Sequence, residues 1–357
     1  MNEGSTIVGR GAQFNPHNRF ERLDLSTPDD LAQYFDDPDP ERKLLTQFYF
    51  DHTKSILAKN DSPDLGFTYS INPYRGCEHG CVYCYARPSH EYLGFSSGLD
   101  FETKILVKRD APELLDTELS SPRWKPQTIV FSGNTDCYQP VEQKLQITRR
   151  CLEVFLKHKH PLSMITKNAL IRRDIDLLRE LAREQLVFVI ISITSLDQSV
   201  QKTMEPRTSS PKKRLETVRL LAESGVPVGV NVAPVIPGLT DTEIPAILSA
   251  AHEHGARWAS HIFVRLPYAV KDLFVEWAKR EFPERAEMIF SRIHGVREGQ
   301  WSSSEFGKRM TGEGPYAEAV HRLFESSARR LGMNQSRVHL STDSFIRRPS
   351  SQIDIFG

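Results

Sequence analysis

The chain has 357 residues, enough for one barrel-sized domain with extensions or for two ordinary domains. Apolar residues make up 39% and charged residues 26%, a globular composition, and no run of about 18 apolar residues could form a membrane span. Lys and Arg (46) balance Asp and Glu (46), so the basic excess typical of proteins that grip long nucleic acid through its phosphates is missing.

The first 60 residues are polar and rich in Pro and Asp. The stretch STPDDLAQYFDDPDPERK offers little core material, so residues 1–60 are expected to form a surface extension, partly irregular. MNEGSTIVGRGAQFNPHNRFE has no apolar segment of the kind that directs secretion. Five cysteines, three of them within eight residues, do not suggest a disulfide framework, and a reducing cytoplasm is the expected compartment.

From residue 66 onward, β-rich runs alternate with helical ones. GFTYSI (66–71) reads as a strand, ETKILVK (102–108) as extended chain and TIVFSG (128–133) as a strand. Residues 142–157 carry Leu145, Cys151, Leu152, Phe155 and Leu156 near one helical face. PLSMITKN (161–168) is a strand, and 171–184 a helix capped by Asp174 or by Asn168. LVFVIISIT (186–194) and VPVGVNVAPVI (226–236) are near-continuous apolar runs, as expected of strands buried on both faces. Helices are expected at 211–224, ended by Gly225, and at 240–253, closed by Gly255. RWASHIFVRLP (257–267) is a sixth strand, and 270–290 and 315–331 read as helices around a Gly- and Ser-rich stretch.

This alternation predicts an α/β fold, a partial (β/α)6 TIM-like barrel of parallel strands. The expected divisions are an N-terminal extension (1–60), the barrel core (61–270) and a C-terminal helical extension (271–357). In such barrels the chemistry lies at the carboxyl ends of the strands.

The most specific signal is Cys77-x3-Cys81-x2-Cys84, in a loop relieved by Gly76 and Gly80. Thiolates are soft ligands for zinc or iron–sulfur clusters. Three ligands suit a [4Fe–4S] cluster with one open iron, whereas a closed zinc site needs a fourth, which His79 or His90 could supply.

The spacing, with aromatic Tyr83 before the last cysteine, resembles the signature of the radical S-adenosylmethionine (SAM) superfamily. The resemblance implies a [4Fe–4S] cluster on Cys77, Cys81 and Cys84, SAM chelated at the open iron, and reductive cleavage to methionine and a 5′-deoxyadenosyl radical. It further implies SAM contacts from residues at strand ends. Asn134 and Asp136 stand where family members hold the SAM amino group, although the usual Gly-Gly-Glu segment is here Ser132-Gly133-Asn134-Thr135-Asp136. Thr166 and Lys167 would face the methionine, Ser192 the ribose, and Tyr83, Asn231 and the segment after it the adenine. Arg207 is a candidate anion clamp, with an ion pair to Glu205 as the structural reading.

SGNTDCYQPVE, ITKN, SITSLD, MEPRTSSPKKRL and PVIPGLTD resemble the branch that holds spore photoproduct lyase and uncharacterised DNA repair photolyase-like proteins. That likeness makes Cys137 a candidate hydrogen donor, a nucleic-acid lesion one implied substrate, and a reduced flavodoxin or ferredoxin the expected electron donor. Modification of RNA or a peptide, and a non-enzymatic zinc module, are the alternatives. Lys212, Lys213, Arg214, Lys308, Arg309, Arg347 and Arg348 read as scattered surface charge.

Overall fold

A computed structural model describes residues 7–19 and 44–349. Its strands are β1 (Gln47–Phe50), β2 (Leu57–Lys59), β3 (Tyr69–Ile71), β4 (Tyr74–Arg75), β5 (Lys104–Val107), β6 (Ile129–Phe131), β7 (Leu162–Thr166), β8 (Val187–Ser192), β9 (Val228–Val235) and β10 (Trp258–Phe263). β3, β6, β7, β8, β9 and β10 pair in that order, all parallel, and β2 adds antiparallel to β3 at one edge. This is the expected partial barrel of six parallel strands.

Helices cross between the strands because each leaves one apolar face to bury. Cys151, Leu152 and Phe155 of the helix Ile147–Lys157 pack inward, as do Val218 and Leu221 of Pro211–Glu223. They meet Ile71, Phe131, Met164, Val189, Ile191 and Val230, which are essentially inaccessible. Each such side chain contributes roughly 1.5–3 kcal/mol through burial. The C-terminal helices pack on the cysteine loop: Phe274, Trp277, Ile289 and Ile293 form a second cluster with Cys81, Val82 and Tyr83.

Several elements depart from the sequence reading. The run ETKILVK is extended only over Lys104–Val107, where β5 pairs with β1 and β4 in a small separate sheet; Glu102 and Thr103 end the helix Leu99–Thr103. Residues 142–157 form two helices, Glu142–Leu145 and Ile147–Lys157, because Gln146 takes a left-handed conformation with φ 52°. The helix expected over 270–290 also breaks, into Val270–Glu281 and Ala286–Gly295. Pro283 lacks an N–H and pushes Phe282 out of the helical region, to φ −135° and ψ 54°. Of the two proposed caps, Asn168 is the one that acts, accepting from Leu170 N at 3.0 Å. STPDDLAQYFDDPDPERK lies outside the described residues. Among the described residues, no helix is long and apolar enough to cross a membrane.

Candidate functional site

The cysteine loop leaves β4 and turns across the mouth of the barrel. Gly76 and Gly80 take positive φ (80° and 67°), which a side chain would resist. Cys77 N donates to Phe101 O at 2.9 Å, and Val82 N to Met204 O at 3.1 Å, so the loop is fastened at both ends. Cys77 and Cys81 are buried, Cys84 is half-buried and packs near both, and none forms a disulfide.

Burial pushes all three thiols above the ordinary cysteine range. Asp136 and Cys84 add to the rise at Cys77, Glu205 adds at Cys81, and Lys167 opposes it at Cys81 and Cys84. Three clustered thiols, two buried and one half-buried, suit a soft cationic group that takes them as thiolates.

The histidines that could complete a zinc site are otherwise engaged. His79 Nε2 lies 3.0 Å from Asn168 Nδ2 and its Nδ1 3.5 Å from Asp136 Oδ2. His90 Nε2 lies 2.8 Å from Lys104 O. Among the described residues, no three or more His, Cys, Asp and Glu side chains, the loop cysteines included, gather tightly enough for a single metal ion. With both histidines engaged, the three thiols remain as the soft donors of the loop, the number that suits a [4Fe–4S] cluster with one open iron.

The strand tips are cross-linked beside this loop. The Asp136 carboxylate, after β6, accepts from Thr166 Oγ1 at 2.8 Å and from Lys167 N at 2.8 Å, both at the end of β7. It also accepts from Tyr138 N at 2.9 Å. Asn134 N donates to Asn72 Oδ1 at 2.8 Å, leaving the exposed Asn134 side chain at the rim. The parallel register sets Ser192 beside Asn231, where Asn231 Oδ1 accepts from Ser260 Oγ at 3.0 Å and Ser192 O accepts from Arg214 Nη1 at 2.9 Å.

Tyr83 donates its hydroxyl to Glu205, which also accepts from Arg214 and from Thr194 Oγ1. Burial alone would raise the Glu205 carboxyl, but Arg214, Lys167 and the Tyr83 hydroxyl bring it down to about 2. The Lys167 ammonium sits 5.9 Å from the Tyr83 ring centre. Tyr83, Thr166 and Lys167 thus converge on the cysteine loop.

Two sequence expectations are corrected, and Cys137 is placed in the core. Arg207 does not pair with Glu205; its Nη2 lies 3.2 Å from Glu78 Oε1, and the buried Arg214 takes Glu205 instead. Arg207 is thus engaged by a loop carboxylate. Cys137 is fully buried in the main core with Tyr138 and Cys151, and its carbonyl accepts from Thr148 Oγ1 at 2.8 Å. Burial raises its thiol well above the ordinary range, and it does not join the three loop cysteines. Arg214, Lys308, Arg309 and Arg347 are not free surface charges: they engage Glu205, Glu305, Asp64 and the Ser121 carbonyl.

Sequence reasoning missed Glu78 beside the site, and it read His79 only as a possible zinc ligand and Glu205 only as a partner of Arg207. Glu78 N donates to Gln139 Oε1 at 2.9 Å and Glu78 Oε2 accepts from Val141 N at 2.7 Å, tying the cysteine loop to the exit of β6. Two such acids beside or facing the cysteines, each needing a partner once buried, were the available signal.

Comparison with known proteins matches this arrangement. Residues 71–251 fit the family described as the Radical SAM superfamily. An uncharacterised Mycobacterium tuberculosis protein is 35% identical over 234 residues, covering 65% of this chain and 69% of its own. A radical SAM Nα-GlyT isomerase of Pseudomonas phage M6 is 24% identical over 298 residues, covering 82% of this chain and 58% of its own. Spore photoproduct lyase, solved with dinucleoside spore photoproduct, shares the fold at TM-score 0.55 and 18% identity, over 80% of this chain and 78% of the lyase. With the family signature, the parallel barrel and the triad of loop cysteines in agreement, the chain belongs to the radical SAM superfamily.

Proposed function

We propose that the chain holds a [4Fe–4S] cluster on Cys77, Cys81 and Cys84 and binds SAM across the strand tips beside it. The observation that carries this is three free thiols in one loop, two of them buried and the third half-buried, at the carboxyl ends of parallel strands. When bound, such a cluster supplies the electron that cleaves SAM to methionine and a 5′-deoxyadenosyl radical.

This chain's own residues bind, orient and exclude water. Asp136 fixes the Thr166 hydroxyl and the Lys167 backbone, so the Lys167 ammonium is presented toward the site, where it suits the SAM carboxylate. Asn134 at the rim suits the SAM amino group, and Ser192 and Asn231 the adenosine half. Tyr83 closes the loop against Glu205 and keeps water from the thiols.

The proposed substrate class is a nucleic-acid lesion, supported by the fold shared with a lyase solved with dinucleoside spore photoproduct. A reduced flavodoxin or ferredoxin is the proposed electron source. Anaerobic reconstitution with iron, sulfide and dithionite is expected to yield 5′-deoxyadenosine from SAM, and Cys81→Ala to abolish it. A protein that takes up one zinc and no iron, or holds a cluster without ever cleaving SAM, overturns the proposal.

A further inference from the structure

Part of the polar N-terminal extension lies against the cysteine loop and does not run over the outer surface. Arg10, Gly11 and Ala12 are all buried. Gly11 N donates to Glu102 Oε2 at 3.1 Å and Ala12 N to Glu102 Oε1 at 2.7 Å. The same Oε1 accepts from Arg87 Nη2 at 2.5 Å, and both members of that ion pair are inaccessible to solvent. Arg87 Nε donates to Cys81 O at 3.0 Å, and its Nη1 to Ser97 O and Gly98 O at 3.1 and 2.9 Å. A chain of direct contacts therefore runs from the extension through Glu102 and Arg87 to a cysteine of the loop.

A second branch leads to the loop's other side. Arg10 donates to Glu102 O at 3.0 Å, to Leu44 O at 3.1 Å and to Thr46 Oγ1 at 3.0 Å. Thr46 Oγ1 also lies 3.5 Å from Arg207 Nη1, and Arg207 pairs with Glu78, next to Cys77. The fit is tight enough to require glycine. A Cβ on Gly11 would stand 1.7 Å from Gly80 O, and one on Gly80 would stand 2.7 Å from Glu102 Oε2.

A carboxylate buried this deeply is stable only while its donors are in place. Two of those donors are backbone N–H groups of the extension, so removing the extension would strip Glu102 and loosen its hold on Arg87. We propose that residues 9–12 form a clamp that holds the loop 77–84 in its cluster-binding shape, with Glu102 and Arg87 as positioning residues. The inference rests on the reading of Cys77, Cys81 and Cys84 as the ligand set.

The test compares Gly11→Ala in the full chain with Gly66→Ala, whose added Cβ meets nothing within 4 Å. In metal-free protein, iodoacetamide alkylation of each cysteine is followed by mass spectrometry. After anaerobic reconstitution, iron and sulfide per chain are measured before and after a chelator challenge. In Gly11→Ala the three loop thiols are expected to react on the order of 10-fold faster than in the parent, the effect of a strain near 1.4 kcal/mol. Iron should be lost faster, and Cys151 should stay protected in the core. Gly66→Ala should match the parent on every reading.

If Cys151 becomes reactive in Gly11→Ala, the fold has failed, and Glu102→Gln, which keeps the side-chain size but removes the charge, decides in its place. Loop reactivity and iron retention equal to the parent in a folded variant overturn the clamp. A parent protein that takes up no iron overturns the cluster reading instead, while the alkylation comparison still decides the clamp.

Discussion

The Tyr83 hydroxyl donates to Glu205, joining the loop that carries Cys81 and Cys84 to the residue that ends the helix Gln198–Met204. Glu205 in turn holds Arg214 and Thr194, so one buried carboxylate ties the cysteine loop to the segment after β8 and to the helix Pro211–Glu223. Removing either partner has a different expected cost. Tyr83→Phe leaves Glu205 paired with Arg214 and should lower unfolding stability by about 1 kcal/mol, the net worth of one hydrogen bond. Glu205→Ala strands a buried guanidinium and should cost about 3–5 kcal/mol. Urea titration of the two variants measures both; equal losses would show that the carboxylate is not the centre of the network.

Acid sensitivity follows from buried histidines. Trp124 Nε1 donates to His160 Nε2 at 3.0 Å, and His160 Nδ1 lies 3.0 Å from Pro161 O, an arrangement that requires the neutral ring. Burial lowers its pKa from 6.5 to about 3. Between those values the unfolded chain binds a proton that the folded chain refuses. The stability contributed by His160 is therefore complete above pH 6.5 and is lost as pH falls toward 3, at about 1.4 kcal/mol per pH unit. Urea midpoints at pH 7 and pH 5 should differ less in His160→Gln than in the parent. The same slope in both would place the acid sensitivity elsewhere.

Glu205 acts lower on the pH scale. Its carboxyl is depressed from 4.5 to about 2, so its contribution is present above 4.5 and disappears as pH falls toward 2. Infrared difference spectra of parent and Glu205→Gln should show the Glu205 carboxylate band persisting at pH 3.5. Its disappearance near pH 4.5 would mean that Arg214 and Lys167 do not overcome burial.

Cys137 and Cys84 should respond differently to replacement. Cys137→Ala deletes one sulfur from a closed core and should cost roughly 1–2 kcal/mol, with iron content and 5′-deoxyadenosine yield unchanged. Cys84→Ala should lose iron while keeping most of the stability of the metal-free fold. A Cys137→Ala protein that retains iron and yields 5′-deoxyadenosine but no longer turns over a labelled substrate would support Cys137 as a hydrogen donor.

Asp136 should matter through what it holds. Asp136→Ala removes the acceptor of Thr166 Oγ1, Lys167 N and Tyr138 N, at about 1–3 kcal/mol for the donors left unpaired. With Lys167 no longer oriented, SAM affinity measured by equilibrium dialysis should fall about 10-fold or more. Affinity equal to the parent would separate Lys167 from SAM binding.

Much of the barrel was legible because its strands are long apolar runs that can be buried only between two layers. VFVIIS and VGVNVAPV admit no other comfortable place, and they became β8 and β9. β1 was not legible: QFYF is four residues in a polar stretch, and its strand character comes from pairing with β5, far along the chain. The pairing of Arg207 with Glu205 was the natural local reading, since they are neighbours. Arg214 displaces it because the helix Pro211–Glu223 carries that guanidinium into the interior, where the buried carboxylate most needs a counterion.

Local chemistry alone set the spacing of Cys77, Cys81 and Cys84, the glycines that let their loop turn, and the alternation that builds a parallel barrel. Those are properties of short stretches of chain, and short-range sterics and hydrophobic periodicity suffice to write them. Which acids and bases surround the thiols is a different matter. Asp136 with Thr166, Glu205 with Tyr83, and Glu102 with residues 11 and 12 are contacts between distant segments, chosen by the folded interior because a buried charge there must find its partner.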